Sequence, residues 1–112
     1  MIPTEAQEQK AVVAYCKYNQ LPCFRVPNET YTTSWKQKMN NKQLGVSKGI
    51  PDLFVIVNNQ LIAIEMKRIK GSVTSPEQLE WLRLLNMANI PAKVCKGSQE
   101  AIDYIESFIK KV

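Results

Sequence analysis

The stretch that most restricts the fold of this chain is Leu53-Phe54-Val55-Ile56-Val57, followed by Asn58-Asn59 and then by Gln60 to Lys67. A continuous apolar run rich in β-branched residues reads as a strand buried on both faces. Asn tolerates positive φ, so Asn58-Asn59 reads as a tight turn and Gln60 to Lys67 as the returning arm of a hairpin. With a two-residue turn, Val57 faces Gln60, and counting back along both arms sets Asp52 directly opposite Glu65. Opposed residues have Cβ atoms about 4.5–5.5 Å apart. A three-residue loop would shift the pairing by one and turn Asp52 to the other face, so at this point both registers stay open.

Two carboxylates so placed repel each other, and a divalent cation offsets that repulsion. Mg²⁺ takes oxygen ligands, commonly one or two carboxylates with waters and a substrate phosphate. Lys67 lies two residues beyond Glu65, on the same face of the strand, where an ammonium can orient or deprotonate a water or offset charge on a phosphate. Ile64 and Met66 point to the opposite face, as core. The structural alternative is that Asp52 caps a turn after Pro51 while Glu65 and Lys67 form a solvated pair. Against it stands the placing of charges at the ends of such apolar strands, where desolvation is costly.

The remaining elements follow from caps and breakers. Thr4 starts a helix over about 4–20, with apolar positions at helical spacing, ended by Leu21-Pro22. Cys23 to Val26 reads as a short strand. Residues 30–47 are polar, and Trp35 with Met39 forms one apolar face of a short helix; burial against the domain is the simplest account of Trp35, with base stacking or a dimer contact as alternatives. Ser75, Pro76 and Gln78 make a capping box that opens a helix to Met87 or Ala88, with Trp81 on its core side. Ala92 to Lys96 is a last strand, and Ser98 caps a final helix to about Lys110. The order predicts a mixed α/β domain, a central sheet flanked by helices.

Composition narrows the chemistry. The 112 residues suit a single domain over 1–112, and an apolar fraction of 45% supports a core. The chain has no histidine, which excludes histidine triads, histidine-zinc hydrolases and histidine general bases. Cys16, Cys23 and Cys95 form no C-x-x-C pair and read as buried free thiols in a reducing cytoplasm. The N-terminus is polar and acidic, unlike a signal peptide, and no apolar run reaches the roughly 20 residues of a membrane span, so a soluble, cytoplasmic protein with no membrane partner is expected. The net charge of +5 and pI near 9.2 fit a polyanionic partner without requiring one.

Gly49-Ile50-Pro51-Asp52-Leu53 followed by Ile64-Glu65-Met66-Lys67 resembles the PD-(D/E)xK nuclease signature. Within that superfamily the chain resembles the VRR-NUC (virus-type replication-repair nuclease) domain, stand-alone phage or bacterial type. Thr4 to Gln9, Val26-Pro27-Asn28, Lys48 to Leu53, Gly71, Ser75 to Gln78 with Trp81, and Val94 to Gly97 match its motifs in order. The resemblance implies a restriction-endonuclease-like αβββαβ core. It also implies a Mg²⁺- or Mn²⁺-dependent phosphodiesterase acting on DNA, located in the host cytoplasm if phage-encoded. Asp52 and Glu65 would bind metal with the Met66 main-chain carbonyl, and Lys67 would be catalytic. Glu8 on the first helix would complete the acidic cluster, although Glu5 lies on roughly the same side and the choice between them stays open; either acid also suits a helix N-terminus without any metal. Gln78 would be an active-site residue, a role compatible with its place in the capping box.

Lys48 and Arg68 flank the catalytic segments and are the foremost candidates for holding the DNA backbone, with Asn28, Lys36, Lys38 and Lys42 as further candidates or as solvated surface. Small stand-alone members of the family are dimers, some cutting branched DNA such as four-way (Holliday) junctions, and a two-fold axis suits a symmetric junction. The reading is a structure-selective DNA endonuclease active in DNA repair. The alternatives are a non-catalytic nucleic-acid-binding module on the same fold, or an interaction domain without a nucleic-acid role.

Overall fold

The computed structural model describes residues 2–27, 35–43, 45 and 47–109. Its elements run α1 (Glu5–Tyr18), β1 (Cys23–Arg25), α2 (Trp35–Gln43), β2 (Leu53–Val57), β3 (Gln60–Lys67), α3 (Pro76–Met87), β4 (Ala92–Lys96) and α4 (Ser98–Glu106). This is the expected αβββαβ order, with α2 inserted after β1 and α4 added at the end. One mixed sheet has the order β1-β2-β3-β4. The β1–β2 and β2–β3 pairs are antiparallel, and β4 joins β3 in parallel after the α3 crossover.

The hairpin has the two-residue turn. Val57 pairs with Gln60 and Leu53 with Ile64, so the next pair outward is Asp52 and Glu65. Asn58 and Asn59 both take left-handed φ, 52° and 61°, the conformation that lets a two-residue connection follow the twist of its strands.

Alternation then sorts the side chains. Leu53, Val55 and Val57 of β2 and Ile62, Ile64 and Met66 of β3 share one face with Cys95. Val12 and Cys16 of α1 and Ala101 and Ile105 of α4 close over them to make the core. Each fully buried Leu, Ile or Val side chain there contributes about 1.5–3 kcal/mol relative to exposure. The opposite face carries Phe54, Ala63, Glu65 and Lys67, all buried, and Leu82 of α3 is buried on this side of the chain fold. Burial on both faces of β2 does not extend to Ile56, which is 41% exposed. Phe24 stacks on Phe54 there, with ring centroids 5.3 Å apart.

The bounds of the last helix and the burial of Trp35 differ from expectation. The last helix ends at Glu106, and Ser98 is its first residue rather than its cap; the cap position is Gly97, which has no side chain to offer. Trp35 is 73% exposed on α2 instead of buried against the domain. The N-terminal caps hold: Thr4 with Gln7, and Ser75 with Gln78, each form a reciprocal capping box. Cys16, Cys23 and Cys95 are free thiols, the first and last of them buried. Among the described residues, no helix is long and apolar enough to cross a membrane.

Candidate active site

The hairpin register places Asp52 at the mouth of β2 beside Glu65 near the end of β3. The Asp52 and Glu65 carboxyl groups lie close enough to act on each other. The first turn of α1 brings a third acid, Glu5. One carboxylate oxygen from each of Glu5, Asp52 and Glu65 lies within 4.8 Å of the others. Glu65 is 2% exposed, and its Oε1 is buried with no hydrogen-bond partner.

Its other oxygen is well supplied. Glu65 Oε2 accepts a hydrogen bond from Gln78 Nε2 at 3.1 Å and lies 3.7 Å from Lys67 Nζ. Gln78 serves two purposes at once: its Oε1 accepts from the Ser75 amide at 2.9 Å while its amide nitrogen holds Glu65. The cap and the site contact are thus two ends of one side chain. What sets α3 at this distance is Gly49. It has φ +88°, and a Cβ there would meet Glu77 C at 2.7 Å and Gln78 N at 2.8 Å. The glycine lets the loop that delivers Asp52 lie against the helix that delivers Gln78.

The electrostatics follow from crowding three acids in a partly dry place. Burial pushes the Glu65 carboxyl up to about 8, the neighbouring Asp52 carboxyl adds to the rise, Glu5 adds less, and Lys67 opposes it. Burial also raises Glu5, as does Asp52, against the lowering pull of Lys67 and Arg68. In the absence of a cation Glu65 is therefore held toward its protonated form.

Glu8 is not in this cluster. Its Oε1 accepts from the Ser98 amide at 3.0 Å, and the side chain is 6% exposed. It caps the N-terminus of α4 from another helix, supplying what Gly97 lacks. Of the cationic candidates, Arg68 is near enough to act on Glu5 and donates to the Gly71 carbonyl at 3.4 Å. Lys48 lines a depression against the first turns of α3 with Glu77, Glu80 and Trp81. Lys36 and Lys42 are exposed on α2. Asn28 lies outside the described residues, as does the side chain of Lys38. Sequence reasoning did not single out Arg25 or Lys10, which line a cleft together with Glu5 and Asp52; Arg25 sits between apolar neighbours on a short strand, and only the tertiary fold brings it there.

The sheet order, the acid-bearing hairpin and the helix behind it define a restriction-endonuclease-like α/β domain. The chain belongs to the VRR-NUC domain family, a nuclease-type family whose model matches residues 3–99. Among solved structures it is similar to a VRR_NUC domain protein, with a TM-score of 0.77 and 23% identity over 96% of this chain and 88% of that one. None of the curated proteins matches the chain.

Proposed function

We propose that this protein is a divalent-metal-dependent DNA endonuclease that hydrolyses a phosphodiester bond by attack of water. The observation that carries the reading is the meeting of Glu5, Asp52 and Glu65 beside Lys67 in a partly buried recess. An octahedral Mg²⁺ has bonds of about 2.1 Å, so its ligand oxygens lie roughly 3–4.2 Å apart. The spacing of these carboxylates, within 4.8 Å, suits such an ion after a small inward adjustment. The unpartnered Glu65 Oε1 is a donor atom waiting for a positive charge.

Glu5, Asp52 and Glu65 would hold Mg²⁺ or Mn²⁺, with the Met66 main-chain carbonyl as a further ligand by the family resemblance. When bound, the ion supplies Lewis acidity toward a phosphate oxygen and lowers the pKa of water. Glu5 takes the position on the first helix because its carboxylate lies with those of Asp52 and Glu65, whereas Glu8 Oε1 accepts from the Ser98 amide. Lys67 points its ammonium at the same recess, where it hydrogen bonds the attacking water or the phosphate and offsets charge that grows as the new P–O bond forms and the bond to the leaving oxygen breaks. Gln78 positions Glu65 by fixing Oε2, so that Oε1 faces the ligand. Lys48 and Arg68 would hold the backbone near the cut, and Asn28, Lys36, Lys38 and Lys42 remain further backbone-binding candidates.

The finer reading is a homodimer that prefers branched DNA, four-way junctions included, acting in DNA repair. A panel of single-stranded, duplex, flap, splayed and four-way DNA in Mn²⁺ tests it. Cleavage of the branched substrates, lost in Asp52→Ala, Glu65→Ala and Lys67→Ala proteins that still fold, is the expected result. Salt-sensitive binding with no cleavage of any substrate would instead favour a non-catalytic binding module.

A further inference from the structure

We infer that Arg25 and Lys10 form a subsite for a second phosphate of the same DNA strand, displaced from the phosphate that is cut. A cleft of about 340 Å³ opens between α1 and the end of β1, and Glu5, Lys10, Arg25 and Asp52 lie along it with Ala6 and Val13 as apolar wall. The cleft shares Glu5 and Asp52 with the acidic cluster, so it is continuous with the place of reaction. Its size is within the range of pockets that hold small ligands, roughly 300–1,000 Å³, and a sugar-phosphate unit fits.

Arg25 is held in place by the sheet. It pairs with Leu53, the residue after Asp52, and the neighbouring Val26 amide donates to the Asp52 carbonyl at 3.0 Å. Lys10 stands on α1 beyond Glu5. The ion pairs among the described residues are Lys67–Glu65 and Arg83–Glu80, so neither Arg25 nor Lys10 is spent on a carboxylate. Nor do they figure among the charges that act most on the acids, which are Asp52, Lys67 and Arg68 for Glu5 and Asp52, Lys67 and Glu5 for Glu65. They line the same cleft as Glu5 and Asp52 without an ion pair to either among the described residues, presenting two donors to an anion beside the acids. A guanidinium suits this work because its planar fork takes a phosphate through two oxygens.

Placed together with Lys48 and Arg68, the cleft gives the strand a path. Lys48 lies against the first turns of α3, whereas Arg25 and Lys10 lie on the α1–β1 side. A strand crossing the acidic cluster would have one flanking phosphate on each side. The inference rests on the nuclease reading of the cluster but adds a binding site that the reading does not require.

The test is binding of an oligonucleotide in EDTA, followed by fluorescence anisotropy across a salt series. It compares wild type with the Arg25→Ala, Lys10→Ala double variant, using DNA carrying one neutral methylphosphonate stepped along the strand. The double variant is expected to bind about tenfold more weakly and to lower the slope of log K against log salt by about one, since one neutralised phosphate is worth about 0.9. That penalty should vanish for a methylphosphonate at one position only, and Arg25→Lys should restore part of the affinity. Unchanged affinity and slope, or an equal penalty at every methylphosphonate position, would overturn the subsite. Cleavage by wild type in Mn²⁺ is scored separately: a position-specific cycle without cleavage removes the nuclease reading and keeps the subsite, while cleavage without a position-specific cycle does the reverse. Circular dichroism confirms that the variants, changed at exposed positions, remain folded.

Discussion

The Glu8 carboxylate accepts a hydrogen bond from the Ser98 amide at 3.0 Å, joining residues 90 positions apart. The cap position of α4 is Gly97, which has no side chain, so Glu8 supplies from α1 the acceptor for the first amide of the helix. Glu5, one turn earlier, faces the acidic cluster instead. We therefore expect the two acids to separate cleanly. Glu8→Ala should lower stability by about 1–3 kcal/mol, the worth of a charged cap, and leave metal binding intact. Glu5→Ala should leave stability nearly unchanged and weaken metal binding. Urea unfolding with and without Mn²⁺ measures both, and a loss of the metal response confined to Glu8→Ala would sink the assignment.

Glu65 ties stability to pH. Burial, with Asp52 behind it, holds its carboxyl near 8 against 4.5 for the free group. The folded state therefore binds a proton more tightly than the unfolded one. Stability is full below about 4.5 and falls as pH rises toward about 8. Without divalent ions the decline should be on the order of a few kcal/mol. Glu65→Gln should flatten it, and Mg²⁺ should do the same in wild type by favouring the ionised form. Parallel curves of urea midpoint against pH for wild type and Glu65→Gln would refute this account.

Gly49 sets the distance between the loop before β2 and α3. A methyl there would lie 2.7 Å from the Glu77 carbonyl carbon, at a φ of +88°. Gly49→Ala should thus destabilise by about 2 kcal/mol or more, from left-handed strain and a backbone clash together. Because the clash pushes on the turn that carries Gln78, cleavage should fall further than the lost stability explains. Thermal midpoints and rates on the same preparation decide whether the two losses part company.

Gln78 allows its two roles to be divided. Gln78→Glu keeps an oxygen for the Ser75 amide, as Glu is a usual partner in a capping box. It replaces the donor to Glu65 Oε2 with another acceptor. Stability at neutral pH should change by less than about 1 kcal/mol while metal affinity and turnover drop. Gln78→Ala should lose on both counts. Wild-type turnover in Gln78→Glu would mean that the contact with Glu65 is incidental.

The sheet was legible in the residues because its decisive signals are local. Asn58-Asn59 offered a two-residue turn beside a register shifted by one, and the structure takes the former, which sets Asp52 opposite Glu65. Ser75 and Gln78 announce a helix start from four adjacent letters. Which of Glu5 and Glu8 joins the acidic cluster was not legible, because it depends on the phase of α1 over the sheet; Glu5 lies with Asp52 and Glu65, whereas Glu8 meets Ser98 at the other end of the chain. The start of α4 was misjudged for the same reason: a distant acid replaces the local cap. Arg25 escaped notice because strand alternation says nothing of which helix will lie beside it.

Consider finally the hairpin as an event in time. Asp52 and Glu65 are joined by one short closure through Asn58-Asn59, whereas Glu5 must come from the N-terminal helix. Contacts of low sequence separation form early, a hairpin within about 1–10 μs. The repulsion between the two acids is therefore met on the way to the native state as well as within it. Divalent cations are expected to set how fast this chain folds, and stopped-flow refolding that is indifferent to Mg²⁺ at neutral pH would place the meeting of the acids after the barrier.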